Sequence, residues 1–405
     1  MLYITLFIHS TDTLWFCFFD CFVMNRILQV DFFRGLFLII ITTNHFLSTQ
    51  NIIHHFTFEY LGWITAAEGF VFLSGFTAGL VYSRKLVENG EAFISLAAKK
   101  RAWTIYKYHL ILFLLVALIK FSYSFITAYW FHNHKDFLLL FQEPVLSTIL
   151  AALLVYQPTH LDILPMYALF ILLLPFTLKY FNNGRTWLVL ALSFLFYVIG
   201  TFNLVSLLVD NIGLLEQVNT GFFNLLSWQF LFVTGLYLGS LTYQGKTNRI
   251  LQNNKLFYFA IAICVLLFVY KRIYYRIDVL HFDLTYAISR ENLGPLRLLN
   301  FFAWLMVMSY IASRHKAWFS FKPVCYLGKY SLEVFSLHIL LIVLLIPLKA
   351  YSNNFHAIRL SDSLHIYPWA SLMLLFILLP ALFLAPVIKN KINNYHKRLR
   401  PKYYW

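Results

Sequence analysis

Long apolar runs separated by short polar segments dominate this chain. An α-helix needs about 20 apolar residues to cross a bilayer, and lipid cannot satisfy the backbone edges of an open sheet. The pattern therefore predicts an all-α protein, a polytopic integral membrane bundle of about ten transmembrane helices. The predicted spans are 32–50, 61–83, 103–127, 161–181, 186–208, 225–243, 255–272, 297–313, 330–349 and 367–388.

One further apolar stretch, 137–157, is interrupted by Gln142, Glu143 and Pro144, so charge must decide whether it spans. Loops rich in Lys and Arg stay on the cytoplasmic side of a membrane. If 137–157 does not span and the N-terminus lies inside, the basic loops after the second, fourth, sixth and eighth spans share that side with the basic tail. We therefore predict that both termini are cytoplasmic.

The composition agrees with a membrane protein, since only 12% of the residues are charged against roughly 25% in soluble domains. The net charge of +15 does not indicate nucleic acid, because most Lys and Arg residues lie beside spans as the orientation rule requires. The segment 271–297 is the exception, since it is basic but predicted outside. A contact of this segment with a ligand or with lipid headgroups would explain its charge, which comes from Lys271, Arg272, Arg276 and Arg290.

The first residues differ from the rest of the chain. Residues 1–23 contain no Lys or Arg and so lack the basic start of a signal peptide, and Asp12 and Asp20 interrupt their apolar run. We predict that 1–23 is an N-terminal extension or a start-site artefact, that 24–390 is the transmembrane domain, and that 391–405 is a basic cytoplasmic tail.

Two polar clusters are built into the predicted spans, and such groups usually line a bundle interior or a water-filled cavity. His45 lies 14 residues after Asp31, or roughly 21 Å along a helix, and Glu68 is expected at a similar depth in the next span. A neutral imidazole can take a proton from a hydroxyl group. We predict His45 and Glu68 to be catalytic, with Glu68 orienting His45 or raising its basicity; the alternative is a histidine that only packs.

Asp31 and Arg34 are three residues apart and can form an ion pair on one helix face. A planar guanidinium suits phosphate or carboxylate, so Arg34 could bind an anionic substrate that enters from the cytoplasm, with help from the basic residues 99–101. The alternative is that the pair only ends the span at the lipid headgroups. Because this cluster and the His45 cluster lie at opposite faces of one bundle, we predict a path between them.

Further candidates for substrate binding lie on later spans. An amide such as Gln229 at the start of a span could bind a sugar hydroxyl, and Arg297 is expected at a similar depth. Trp228, beside Gln229, is a further candidate, although the aromatic belt also explains it. Glu333 and His338 could line the path, although snorkelling to the headgroups also explains Glu333.

Other features of the chain indicate helix packing or give no sign of metal or nucleotide chemistry. The small residues Gly69, Ser74, Gly75 and Gly79 favour close helix packing over chemistry. Four cysteines form no metal pattern, and neither an HExxH zinc motif nor a phosphate-binding glycine loop is present. No metal site is predicted.

With these residues the chain resembles the OpgC family of membrane acyltransferases, which is related to the acyltransferase-3 group. The similarity runs in order from residue 24 to about 340. Its motifs are Asp31-Phe-Phe-Arg34-Gly-Leu with Asn44-His45, the run from Ala66 to Arg84, Leu164-Pro-Met-Tyr167, Trp228-Gln229-Phe with Gly235, Gly294-Pro-Leu-Arg297 and Gly328-Lys-Tyr-Ser331-Leu-Glu333-Val-Phe. Where family members often have Asp-His, this chain has Asn44-His45, which removes one group that could orient the histidine.

The resemblance implies a bundle of about ten helices in the inner membrane of a Gram-negative bacterium. It also implies transfer of an acyl group, typically succinyl from succinyl-CoA, to a hydroxyl of an osmoregulated periplasmic glucan. The expected partners are thus an acyl-CoA donor, a glycan acceptor and membrane lipid, with no nucleic acid and no cofactor beyond the donor. Arg34 would bind the donor, His45 would act as general base, and Arg297 could instead hold the succinyl carboxylate.

The rival hypothesis is a membrane transporter or flippase that moves a sugar or lipid along the same path without chemistry. Many transporters carry internal repeats with broken helices at the midplane. No convincing repeat relates the two halves of this sequence, which favours the enzyme.

Overall fold

The computed structural model describes residues 27–47, 51–124, 135–203, 218–247, 252–274, 283–353, 358–361, 364–366 and 369–399. The predicted extension 1–23 and residues 400–405 of the predicted tail lie outside this range. The first helices are α1 (Leu28–Phe46), α2 (Ile52–Thr57), α3 (Ala66–Ser124), α4 (Leu138–Gln142), α5 (Pro144–Ala152), α6 (Ile163–Asn182), α7 (Thr186–Thr201) and α8 (Leu225–Tyr243).

The remaining elements are mostly helical. They are α9 (Asn254–Tyr274), α10 (Thr285–Ile288), α11 (Pro295–Arg314), α12 (Lys322–Lys329), α13 (Ser331–Asn353), strands β1 (Ile358–Ser361) and β2 (Leu364–Ile366), α14 (Trp369–Ala381) and α15 (Leu384–Leu399). The two strands pair in an antiparallel hairpin. Two short 3₁₀ turns, Lys135–Phe137 and Lys316–Phe319, precede α4 and α12.

Each of the ten predicted spans overlaps a helix in residue range, but fewer helices are long and apolar enough to cross a membrane by themselves. Among the described residues, six meet both conditions, or seven if α12 and α13, which meet at an 89° bend, form one span. The count of ten therefore stays a prediction. Helix α3 is counted once although it covers two predicted spans; it changes direction at Gly90, whose φ of 80° is left-handed.

The stretch 137–157 does not form a single long helix. Helix α4 has 5 residues and α5 has 9, and a helix of 9 residues reaches only ~14 Å, about half the thickness of a hydrocarbon core. Glu143, which separates the two helices, and Pro144, the first residue of α5, lie at the break. The side chains of Tyr106 and His109 hold the end of α5 against α3 through the carbonyls of Ala152 and Ala151.

The centre of the bundle is a contact between the backbones of α3 and α8. A Cβ atom added at Gly75 or Gly79 would lie 2.1 Å from the carbonyl oxygen of Phe232 or Leu236, and one at Gly239 would lie 2.1 Å from that of Phe76. Small residues that let helices approach closely are a recognised way to join helices in lipid, where no hydrophobic driving force acts between them. The predicted packing role of Gly75 and Gly79 is confirmed, and Gly235 and Gly239 complete the contact from α8.

Adding a single carbon at this contact should destabilise the fold. Gly239→Ala has no free space and must separate α3 from α8, and overpacking of this kind costs about 1–3 kcal/mol. Val269→Ile, which also adds one carbon but on an exposed side chain of α9, should leave stability unchanged. Thermal unfolding of both purified variants in detergent checks this, and equal melting temperatures would contradict the contact.

Candidate active site

Three histidines from distant parts of the chain form a cluster at one end of the bundle. His45 lies in the last turn of α1, His338 lies on α13, and His160 lies in the loop between α5 and α6. The ring of His45 is 4.3 Å from that of His160 and 5.6 Å from that of His338, measured between centroids. His338 is fully buried, whereas His45 and His160 are half-buried.

The hydrogen bonds of His338 define which nitrogen of His45 can act as a base. The Nδ1 atom of His338 faces the carbonyl oxygen of Phe335, and because a carbonyl can only accept, this nitrogen must carry the hydrogen. In the neutral ring, Nε2 of His338 then has the lone pair, and it lies 3.4 Å from Nδ1 of His45. His45 therefore donates from Nδ1 and keeps a lone pair on Nε2, the form that a general base requires.

A cavity of about 180 Å³ is separated from this cluster by the ring of Phe335, and none of the three histidines is among its lining residues. Arg34, Ser331 and Phe335 are among its lining residues, and an Nη atom of Arg34 donates to the Ser331 hydroxyl at 2.5 Å. Ser331 and Phe335 are one turn apart on α13, and the ring of Phe335 packs against that of His338 with centroids 4.7 Å apart. The cavity thus extends along α13 from Arg34 toward the histidines.

The walls of the cavity differ along its length. Arg101, which is exposed, and Tyr82 contribute polar groups, while Phe70, Tyr167 and Phe232 are buried aromatic rings. Phe70 lies 6.1 Å from Tyr167 and 6.2 Å from Phe335 between centroids, so these rings form an aromatic layer beside His338. The arrangement could hold a ligand with an anionic head near the two arginines and an apolar or thioester-bearing arm toward the histidines.

A network of ion pairs surrounds the buried Arg297. Its Nη1 donates to Glu68 at 2.7 Å, and its Nη2 donates to Glu59, which also pairs with Lys271 at 3.2 Å. Burial would raise the pKa of Glu59, but Arg297 and Lys271 outweigh burial and lower that pKa below its usual value. Glu59 is therefore ionised at neutral pH.

Glu68 also starts helix α3. Its second carboxylate oxygen accepts from the backbone N–H of Thr65 at 2.9 Å and from the Thr65 hydroxyl at 2.5 Å, while the backbone N–H of Ala67 lies 3.3 Å from that hydroxyl. A threonine followed three residues later by a glutamate is a capping box. Among the described residues, no hydrogen bond joins Glu68 to His45, so the expected orienting contact is not made. The ring of His160 lies 4.3 Å from that of His45 instead.

The other predicted substrate-binding residues are engaged with the protein itself. Gln229 accepts from the Ser193 hydroxyl and donates to the Ser193 carbonyl, both at 2.7 Å. Trp228 donates to the carbonyl of Glu291 at 2.9 Å. Glu333 pairs with Lys389 at 3.1 Å. Asp31 is buried where α1 meets α12, and its backbone carbonyl faces Gly328. Arg34 and His338 are the predicted residues that lie at the cavity or beside it.

Sequence reasoning missed His160. It lies in a loop with a left-handed backbone, φ 72°, and nothing in its local sequence indicates a functional role; only the tertiary fold brings it to His45. Within the described residues, no group of three or more His, Cys, Asp or Glu side chains has an arrangement that could hold a metal ion.

The comparison with known families identifies the class of protein. The model of the OpgC protein family matches residues 26–379, and the chain belongs to this family. Together with its apolar helices, this makes it a multi-pass membrane protein and a transferase-type enzyme. No curated protein and no solved structure matches it significantly.

Removal of the Arg297 charge should strongly destabilise the protein. Arg297→Gln leaves the buried carboxylate of Glu68 without its charged partner, although Glu59 keeps Lys271, and breaking a buried pair in this way costs about 3–5 kcal/mol. The double variant Glu68→Gln with Arg297→Gln should recover part of that loss, because no charge on Glu68 is then left uncompensated. Thermal melting of the three proteins in detergent tests this, and a single variant as stable as the parent would contradict the network.

Proposed function

We propose that this protein is an inner-membrane O-acyltransferase that moves an acyl group, typically succinyl, from cytoplasmic acyl-CoA to a hydroxyl of a periplasmic glucan or related glycan. The observation that carries the proposal is the cavity between the Arg34 and Arg101 guanidinium groups and the aromatic layer beside the histidines. The family assignment supports a glucan-modifying acyl transfer. The positions of Lys and Arg favour an orientation with the Arg34 end of the bundle and both termini in the cytoplasm.

The donor enters from the Arg34 end in this proposal. Arg34 and Arg101 bind phosphate groups of the CoA, since a planar guanidinium can donate two parallel hydrogen bonds to such a group. The hydrogen bond to Ser331 keeps the Arg34 side chain at the cavity wall. The pantetheine arm then follows the apolar wall, and the thioester reaches the layer formed by Phe70, Tyr167 and Phe335.

The histidine cluster supplies the proton chemistry. The lone pair on His45 Nε2 takes the proton from the acceptor hydroxyl, and the oxygen forms a bond to the thioester carbonyl carbon. The tetrahedral intermediate then breaks its carbon–sulfur bond, and the leaving thiolate receives that proton from the His45 imidazolium, so charge and protons balance. His338, which accepts from His45 Nδ1, keeps the ring in the required tautomer and stabilises the imidazolium.

The function is tested by incubating purified protein with a panel of acyl-CoA donors, with and without glucan. We expect release of free CoA that depends on glucan, together with a matching mass increase of the glucan. A transporter or flippase would release no CoA, and that result would contradict the proposal.

Replacement of His45 should abolish transfer, and replacement of His338 should weaken it in a way that depends on the new side chain. General base catalysis contributes about 10²–10⁴-fold to the rate, so His45→Gln should lower kcat by a factor in this range or more. His338→Leu removes the acceptor for His45 Nδ1–H and should lower kcat by roughly ten- to a hundred-fold, the value of a charged hydrogen bond.

The control for that experiment is His338→Gln, whose carbonyl oxygen can still accept from His45. It should retain more activity than His338→Leu at equal melting temperature. If the two variants are equally active, His338 does not set the tautomer of His45.

Loss of Arg34 should weaken donor binding and leave the acceptor unaffected. A charged hydrogen bond to phosphate contributes about 1.5–3 kcal/mol, or roughly ten- to a hundred-fold in affinity, so Arg34→Gln should raise the KM for acyl-CoA by that factor. The variant is made together with Asp31→Asn, so that no carboxylate is left uncompensated at the end of α1.

A matched control is Arg84→Gln, which removes a guanidinium that pairs with Glu88 at 2.7 Å on an exposed part of α3. It should change neither KM. If the Asp31→Asn, Arg34→Gln double variant binds acyl-CoA as the parent does, the donor site has been placed wrongly.

A further inference from the structure

Arg290 is a second basic group near the histidine cluster, and the mechanism above does not use it. It lies in the loop between α10 and α11, with its guanidinium 4.4 Å from the ring centroid of Phe222 and 5.3 Å from that of Phe58. Cation–π contacts on two rings hold the side chain in place and leave the in-plane N–H groups of the guanidinium available.

The Arg290 side chain differs from Arg272 and Arg297, two other arginines in the described part of this end of the bundle. Arg297 donates to Glu68, to Glu59 and to the carbonyl of Ile288, and Arg272 donates to the carbonyl of Tyr60 at 3.4 Å. Within the described part of the chain, the Arg290 guanidinium has ring contacts and longer-range electrostatic interactions but makes no hydrogen bond. Guanidinium groups carry five N–H donors, so that of Arg290 can donate hydrogen bonds to a ligand.

The loop that carries Arg290 is firmly attached to its surroundings. Several hydrogen bonds reach its backbone between 288 and 293 from α7, from α8 and the residue before it, and from α11. They run from Arg297 to the Ile288 carbonyl, from Trp228 and the Asn224 backbone to that of Glu291, from Thr201 to that of Asn292, and from Tyr197 to that of Leu293. A site held by so many bonds is preorganised, which reduces the entropy lost when a ligand binds.

A chain of direct contacts connects Arg290 with His45. The ring of Phe222 lies under the Arg290 guanidinium, and the backbone N–H of Phe222 donates to the Asp162 carboxylate at 3.0 Å. Asp162 is two residues after His160, whose ring contacts that of His45 at 4.3 Å between centroids. The positive charge of Arg290 also acts electrostatically on His45. Arg290 is therefore linked, through Phe222, Asp162 and His160, to the histidine at which, in the proposed function, the acyl group is transferred.

We propose that Arg290 binds a carboxylate at the far end of the acyl chain and so selects acyl donors that carry one. This inference rests on the proposed function and assigns the selection to Arg290 instead of Arg297. The Arg297 guanidinium is already occupied by Glu59 and Glu68, whereas that of Arg290 can form the paired hydrogen bonds that a carboxylate accepts. A dicarboxylic half-acyl group is short, so its carboxylate must lie within a few bonds of the reacting carbonyl and hence near His45.

The test compares two donors of equal chain length, succinyl-CoA, which has a terminal carboxylate, and butyryl-CoA, which does not. CoA release and glucan acylation are measured for the parent protein and for Arg290→Gln, Arg290→Lys and Arg272→Gln. The parent should prefer succinyl-CoA. Arg290→Gln should lose roughly ten- to a hundred-fold in kcat/KM for succinyl-CoA while its kcat/KM for butyryl-CoA stays within about twofold of the parent's.

The other two variants separate selection from general effects. Arg290→Lys keeps the charge without the planar fork and should fall between the parent and Arg290→Gln. Arg272→Gln removes a guanidinium that also lies over two rings, at 5.0 Å from Tyr60 and 5.1 Å from Phe268, and should leave the preference unchanged.

The outcomes distinguish this inference from the proposed function. Equal losses for both donors in the Arg290 variants would overturn the inference and leave acyl transfer in place. A parent protein without preference for succinyl-CoA would do the same. Butyryl transfer by Arg290→Gln shows that the variant is folded; if that variant cannot be purified, Arg290→Lys decides. A parent protein that transfers neither acyl group contradicts the proposed function and this inference with it.

Discussion

The buried guanidinium of Arg297 holds together the end of the molecule at which the histidines lie. It joins α11 to Glu68 in the first turn of α3, to Glu59 in the loop before α3, and to the carbonyl of Ile288, the last residue of α10. Arg297 and Glu68 are almost wholly buried, where ion pairs persist only with good geometry and further hydrogen bonds. Thr65 and Lys271 supply those bonds to the two carboxylates. The position of the Arg290 loop depends on this arrangement.

The other end of the site depends on backbone contacts instead of charge. Gly75, Gly79 and Gly239 bring α3 and α8 together without side chains between them, and α1 meets α12 in the same way at Gly35 and Gly328. These contacts fix the helices whose side chains line the cavity. Because Ser331 and His338 lie on the same helix, the Arg34 end of the cavity and the histidine cluster have a fixed separation. A rigid scaffold of this kind suits a reaction in which two substrates must meet at one point.

The sequence allowed much of this site to be predicted where the signal was local. Arg34 and His45 stand out because charged and polar groups are costly inside an apolar run; Arg34 lines the cavity and His45 belongs to the histidine cluster. Glu68 stood out for the same reason, but its carboxylate starts a helix and pairs with Arg297, a contact between residues 229 positions apart. Depth in the membrane suggested that Glu68 lies near His45, yet depth does not define which face of a helix a side chain occupies.

Residues outside the spans were harder to predict. His160 and Arg290 lie in loops that do not carry the hydrophobic pattern. Trp228 and Gln229 lie at the start of a predicted span, but their partners, in the Arg290 loop and in α7, are distant in sequence. The long-range contacts that assign these roles follow from the packing of the helices. What could be predicted differs from what could not for a physical reason. The hydrophobic pattern indicates which segments enter lipid, whereas the tertiary fold determines which partners a polar side chain has.

A measurement with defined sidedness tests the central claim most directly, namely that donor and acceptor reach the histidines from opposite faces of the membrane. The protein is reconstituted in one orientation in vesicles, with acyl-CoA on the side of the C-terminal tail and glucan only on the other side. The account predicts acylated glucan in this arrangement and none when donor and acceptor exchange sides. Transfer only when both substrates share one compartment would contradict it.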